Sequence, residues 1–272
     1  MITSSRNPLV RRLKALSAPK ERYQKSSFLL EGSNLLKEAL KTSSLPSEII
    51  ATPEWIEKHL EIMECLPESV RLHLVSKSVL KASLTTVNPD GVASLLSLDS
   101  LPKVNDKADF ILALDRLQDP GNLGTLFRTA LAAEVEDVWL AMGADPLSQK
   151  VLRSSAGAIF HLPFQRLGNS EEDAVNELFT KLKMAKDRGF QIVGTYGPGA
   201  HAITRVSPYW EINWSEPTIL VLGNEGSGLH PKIQASCTHA VTLPHNVLVE
   251  SLNVASAAVP LLLERLRAKM TS

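Results

Sequence analysis

The chain has 272 residues, 44% of them apolar, and its 29 basic side chains balance 29 acidic ones. That length suggests about two domains with real cores, and zero net charge argues against a general polyanion binder. There is no apolar run long enough to span a bilayer and no secretory leader pattern. Cys65 and Cys237 lie too far apart to suggest a disulfide framework or a zinc site, so a cytoplasmic location is expected.

Charge is uneven along the chain. Residues 1 to 25 carry Arg6, Arg11, Arg12, Lys14, Lys20, Arg22 and Lys25 against Glu21 alone, a net of +6. Such a segment is either an arm that contacts phosphates or a solvated helix face. Asn7-Pro8 opens a helix, with Leu9, Val10, Leu13 and Leu16 as its apolar stripe and Arg11, Arg12 and Lys14 facing outward. SFLLEG is a buried strand ending at Gly32, and Ser33 is expected to cap the helix NLLKEALK. The alternation goes on with EIIA as strand, PEWIEKHLEIM as one helix, VRLHLV as strand, SKSVLKA as helix and GVASLLSL as strand. This predicts a small α/β domain with a largely parallel sheet over residues 1–104, followed by a polar linker near residues 99–108.

A second alternation fills residues 105–272 and predicts another parallel α/β domain. DFILALD, DVWLAM, FQRL and QIVGTY are strands, the last followed by a GPGA turn. LGTLFRTALAA, VLRSSAGAIF and EEDAVNELFTKLKMAKDRG are helices, the third ending at Gly189. TILVL is a further buried strand that stops at Gly223, and the glycine-rich turn GNEGSG follows it. This turn is not a P-loop, because Leu229 and His230 stand where that motif needs lysine and a hydroxyl, and it is not a dinucleotide fingerprint. A last apolar run ends at Pro244, and a helix opens near Ser251, a good N-cap candidate.

Three stretches stand out together: Asn122-Leu-Gly124 followed by Arg128, LGNEGSGL from Leu222 to Leu229, and Pro244 with Ser251-Leu-Asn253-Val254. In order and spacing they resemble the signature motifs of the SpoU (TrmH) family of RNA ribose 2′-O-methyltransferases, of the knotted SPOUT superfamily, over residues 106 to 267. The resemblance implies a C-terminal parallel-sheet domain with a deep trefoil knot, preceded by a small α/β/α RNA-binding domain. It implies S-adenosylmethionine as methyl donor, held largely by backbone at Thr195, Gly197, Leu222, Gly223, Gly228, Leu243 and Leu252. The matching catalytic set is Arg128, Asn122, Glu225, Ser251 and Asn253. Arg153 falls where family members line the RNA side, beside the basic arm of Arg6, Arg11 and Arg12. A homodimer is implied, and no metal.

Each residue has a plainer reading. Arg128 could pair with Glu134 on a helix surface, and Glu225 could accept only from backbone amides of its turn. Ser251 could be a cap, and Asn122 and Asn253 could cross-brace loops. Two positions depart from the family pattern: His245 follows Pro244 where methionine is frequent, and Val247 stands where glycine is frequent. The leading expectation is methyl transfer to a ribose 2′-hydroxyl in structured RNA, first of all ribosomal RNA. The alternatives are a tRNA target, a non-catalytic RNA-binding or ribosome-assembly protein, and base methylation.

Overall fold

The structure, a computed structural model, describes residues 1–197, 205–246 and 248–271. The expected turn beyond Gly197 and the departure at Val247 lie outside the described residues. The chain divides into two compact units, Met1–Pro102 with Asp145–His161, and Lys103–Ala144 with Leu162–Ser272.

The first part of the chain runs α1 (Pro8–Ala15), α2 (Pro19–Gln24), β1 (Ser27–Glu31), α3 (Ser33–Lys41), β2 (Glu48–Ala51), α4 (Pro53–Lys58), α5 (Leu60–Glu64), β3 (Arg71–Leu74), α6 (Lys77–Ser83) and β4 (Val92–Ser97). The sheet order is β1-β4-β2-β3, and β4 is antiparallel to both its neighbours while β2 and β3 are parallel. This corrects the expectation of a largely parallel sheet. The strands β1, β2 and β3 do run one way, but β4 enters at the centre in the opposite sense. One reversed strand there makes two of three pairings antiparallel. Leu9, Val10 and Leu13 of α1 and Val79 and Leu80 of α6 pack on one face. Leu36, Trp55 and Ile62 cover the other.

Two local expectations also change. PEWIEKHLEIM is not one helix. His59 leaves helical geometry at φ −135°, and its imidazole Nδ1 lies 2.9 Å from the Trp55 carbonyl that a continuing helix would use for the main chain. The cap of α3 is Gly32, at φ +103°, a conformation glycine adopts freely. Ser33 is instead the first helical residue, and its hydroxyl accepts from Trp55 Nε1 at 2.7 Å.

The chain continues with β5 (Phe110–Asp115), α7 (Pro120–Ala132), β6 (Asp137–Ala141), α8 (Gln149–Ser154), β7 (Phe164–Leu167), α9 (Glu171–Asp187) and β8 (Gln191–Thr195). It ends with β9 (Val206–Pro208), β10 (Thr218–Leu222), α10 (Pro231–Gln234), β11 (His239–Thr242) and α11 (Val254–Thr271). The segment with α8 groups with the first unit. Among the described residues the other strands form one seven-stranded parallel sheet, ordered β7-β6-β5-β10-β8-β11-β9. β10 is buried along its whole length, as suits a central parallel strand covered on both faces. Its place between β5 and β8 gathers the loops after four strands at their carboxyl ends, where open α/β sheets hold ligands.

The last helix is held by one buried cation. Arg265, 1% exposed, donates from Nη1 to the carbonyls of Trp214, at 2.7 Å, and Glu216, and from Nη2 to Asp109 Oδ1 at 2.7 Å. The cap of α11 is Asn253 and not Ser251: Asn253 Oδ1 accepts from Ser256 N at 3.1 Å and its carbonyl from Ala257 N at 2.9 Å. Ser251 lies two residues outside, exposed.

Candidate active site

The site begins at the end of β5. Asp115 is fully buried, and its carboxylate accepts from the main-chain N–H of His230 at 2.6 Å and from Arg116 Nε at 2.9 Å. Arg116 takes the left-handed conformation, φ +59°. Its carbonyl accepts from Asn224 Nδ2 at 2.9 Å, and its Nη2 reaches the Gly228 carbonyl at 3.4 Å. The hydrogen bond to Asp115 raises the pKa of this guanidinium.

The turn after β10 is closed on itself. Asn224 and Gly228 exchange two backbone hydrogen bonds of 3.0 Å, and Asn224 Oδ1 accepts from the N–H groups of Gly226 and Ser227 at 2.9 Å each. Gly223 is required for space: an added Cβ would come within 2.4 Å of the Gly228 carbonyl carbon and 2.5 Å of Leu229 N. Those are backbone atoms that cannot rotate away.

Glu225 reaches from this turn to the loop before α7. It accepts from Gln118 N at 3.0 Å, Asp119 N at 3.1 Å and Asn122 Nδ2 at 3.2 Å. Besides its own main-chain N–H, its amide partners thus come from the facing loop and not from its neighbours in the turn. Burial alone would push the Glu225 pKa up, but these hydrogen bonds outweigh it and hold the carboxyl below its ordinary range. Asn122 Oδ1 in turn accepts from Asn253 Nδ2 at 2.8 Å. A carboxylate only accepts, so the orientation of the Asn122 amide is fixed: nitrogen toward Glu225, oxygen toward Asn253. Residues from all three motif stretches meet in this one chain of hydrogen bonds.

Beside the chain lies a cleft of about 520 Å³, within the usual range for small-molecule sites. Every residue expected to hold the donor lines it: Thr195, Gly197, Leu222, Gly223, Gly228, Leu243 and Leu252. Asn122, Glu225, Ser251 and Asn253 line it as well, while Arg128 does not. The wall mixes apolar side chains, Leu222, Leu243, Leu252 and Leu261 among them, with polar ones and the glycines of the turn. His245 also lines the cleft. Its Nδ1 lies 2.7 Å from the Leu243 carbonyl, and its Nε2 is buried with no partner among the described residues. An amphiphilic ligand bearing polar groups would suit both the apolar wall and this unsatisfied nitrogen, and S-adenosylmethionine is of that kind. Among the described residues no group of three or more His, Cys, Asp or Glu could hold a metal ion.

Arg128 is exposed on α7, six residues beyond Asn122, and makes no ion pair among the described residues; a pair with Glu134 does not form. The basic arm of the first unit is less free than its sequence suggests. Arg12, expected to face outward, donates to both Glu48 oxygens, at 2.7 and 2.5 Å. That pairing is the main reason the Glu48 pKa falls. Arg22 is 3% exposed and bound to the carbonyls of Leu16 and Ser17 and to Asp145. Both turn inward because a buried carboxylate or carbonyl needs a donor. Arg6 and Arg11 are exposed, and Arg153 is half exposed, donating to Thr86 Oγ1 at 3.2 Å. The site residues that sequence reasoning missed are Asp115, Arg116 and His230. The one available signal was an acidic residue ending an apolar strand.

Comparison with known proteins agrees with this geometry. The profile of the SpoU rRNA Methylase family matches residues 109–262, and that of an MRM3-like substrate binding domain matches residues 7–94. An uncharacterised tRNA/rRNA methyltransferase of Synechocystis is 40% identical over 98% of this chain and 93% of its own length. The 23S rRNA (guanosine(2553)-2′-O)-methyltransferase RlmP of Bacillus subtilis is 33% identical over 94% of this chain and 95% of its own. The crystal structure of an AdoMet-bound rRNA methyltransferase from Sinorhizobium meliloti superposes with a TM-score of 0.78 at 25% identity, covering 98% of this chain and 97% of that one. With its fold, its three converging motifs and relatives that match it nearly end to end, the chain belongs to the SpoU rRNA methylase family.

Proposed function

We propose that the cleft between the 223–229 turn and the 243–253 segment holds S-adenosylmethionine, and that Arg128 and Ser251 face the RNA. The chain transfers a methyl group from S-adenosylmethionine to a ribose 2′-hydroxyl in ribosomal RNA. The single observation that carries this reading is the Glu225–Asn122–Asn253 chain, which joins the three motif stretches at the mouth of the cleft.

The donor, when bound, supplies an electrophilic methyl group on a sulfonium. Everything else falls to the chain. Backbone at Thr195, Gly197, Gly223 and Leu243 with the side chains of Leu222 and Leu252 would grip the adenosyl part and exclude water. A guanidinium is a poor base, so Arg128 is not assigned the 2′-hydroxyl proton. Its role is to hold an RNA phosphate and stabilise charge developing on the 2′-oxygen, with water taking the proton. Glu225 is assigned a bracing role: three donors already occupy it. In-line placement of hydroxyl and methyl supplies much of the rate.

Residues 1–104 are proposed as the RNA-binding part, with Arg6 and Arg11 contacting the substrate together with Arg153 of the 145–161 segment that groups with it, and residues 105–272 otherwise as the methyltransferase part, tied in a trefoil knot. A homodimer is supported by exposed Leu131 on α7 and Val259 and Leu263 on α11, two helices that pack on each other. The cytoplasm is the compartment where such an RNA is met. No helix among the described residues is long and apolar enough to cross a membrane.

Calorimetric titration with S-adenosylmethionine tests the assignment. Saturable binding by the wild-type chain that survives Arg128→Ala is expected. Loss of binding in that variant would move Arg128 to the donor site, and no binding by the wild type would overturn the reading.

A further inference from the structure

The first unit contains a cavity of about 530 Å³, and none of its lining residues belongs to the donor cleft. It lies where the turn before α3, the loop before β4 and α8 come together, and its polar lining is mixed. Glu31 forms one wall but is fully engaged, accepting from the N–H and hydroxyl of both Thr85 and Thr86. The remaining groups are open. Asp90 accepts from Ser33 N at 2.8 Å through one oxygen, and Glu38 from Lys41 Nζ at 2.8 Å through one oxygen. Among the described residues the second oxygen of each has no hydrogen-bond partner. The side-chain amides of Asn34 and Asn88 likewise have none among the described residues, and both residues are exposed. Arg153, its side chain 50% exposed, uses Nη1 for both Thr86 Oγ1 and the ion pair with Glu31 at 4.0 Å, and its Nη2 and Nε have no partner among the described residues.

This set selects by chemistry. Glu31, Glu38 and Asp90 disfavour a phosphate in the interior, so of a nucleotide it is the base that enters. Free carboxylate oxygens call for N–H donors, and the two unpartnered guanidinium nitrogens of Arg153 call for a pair of acceptors. Guanine offers both on separate edges, with adjacent N–H donor groups at N1 and N2 and an acceptor pair at O6 and N7, whereas adenine and cytosine have a single exocyclic amine as the donor among their edge groups. The volume accommodates a whole nucleotide, and bases of single-stranded loops and bulges are the ones free to leave the stack. Resting on the reading of this chain as an RNA methyltransferase, we propose that the cavity takes an unstacked guanosine of the RNA substrate. Asp90 and Glu38 bind its N1–H and N2–H edge, and Arg153 binds its O6 and N7. The cavity thereby selects the RNA, apart from the nucleotide that is methylated.

The test uses the full chain and labelled hexamers UUGUUU, UUIUUU and UUAUUU in anisotropy titrations. Inosine lacks only the N2 amine of guanosine. Guanosine should bind about tenfold tighter than adenosine, with inosine between. Asp90→Asn and Glu38→Gln should each reduce the preference for guanosine over inosine, and Arg153→Ala should weaken both alike. Asparagine at position 90 can still accept from Ser33 N, and melting curves of the variants establish that each is folded. Equal affinity for the three hexamers, no saturable binding, or an unchanged preference in both carboxylate variants would overturn the proposal. Calorimetry with S-adenosylmethionine on the same samples separates the two readings. Normal donor binding without guanosine selection sinks the cavity alone, whereas absent donor binding sinks the methyltransferase.

Discussion

Arg128 and Glu225 divide the labour of the site in a way their charges alone do not indicate. Arg128 is exposed and without an ion pair among the described residues, so Arg128→Ala should leave stability within about 0.5 kcal/mol of wild type. Methyl transfer should fall by about 10²–10³ under single-turnover conditions, the usual cost of losing one charge-stabilising donor. Glu225 has a depressed pKa, because hydrogen bonds from Gln118, Asp119 and Asn122 overcome the effect of burial. The sign follows: its contribution to stability is complete above the ordinary glutamate value of 4.5 and is lost as the pH falls further, through the lowered value. Melting temperatures of wild type and Glu225→Gln should therefore differ most near neutrality and converge in acid. A constant gap across that range would contradict the bracing role. Asn122, Glu225 and Asn253 were singled out by the resemblance of their three stretches to the family's motifs. Asp115, Arg116 and His230 were not, since their meeting joins residues 115 positions apart in sequence, which no local pattern carries.

At the scale of elements, the 223–229 turn and α11 form the two sides of the cleft, and each has a point of failure. Gly223→Ala puts a methyl group against the backbone of Gly228 and Leu229, so the turn must open. Donor affinity in calorimetry should drop about tenfold or more, near 1.4 kcal/mol. Arg265→Ala removes a buried guanidinium and leaves the Trp214 and Glu216 carbonyls without their donor. The expected cost is about 3 kcal/mol, read as a lower urea midpoint. Strands were legible wherever an apolar run was continuous, as in TILVL. The direction of β4 was not, because alternation of strand and helix says nothing of where the last strand inserts. β9 escaped notice because three partly exposed residues make too short a pattern. The break at His59 depends on an imidazole competing for the Trp55 carbonyl, a side-chain effect outside periodicity.

For the whole molecule, two alternating α/β patterns separated by a polar stretch were plain in the sequence. The grouping of Asp145–His161 with the first unit was not, since a helix such as α8 looks the same locally whichever core it joins. That excursion places Arg153 beside Glu31 and Thr86 in the first unit, although the residue lies between strands of the second. The central claim is that one cleft, laced by three motifs, delivers a methyl group to a ribose oxygen. The most direct measurement is nucleoside analysis by mass spectrometry after incubating the protein with S-adenosylmethionine carrying a labelled methyl group and unmodified 23S rRNA. The account predicts label in a 2′-O-methylnucleoside, reduced by Gly223→Ala at subsaturating S-adenosylmethionine and reduced more strongly by Arg128→Ala. Label on a base, or none at all with S-adenosylmethionine bound and RNA present, would contradict it.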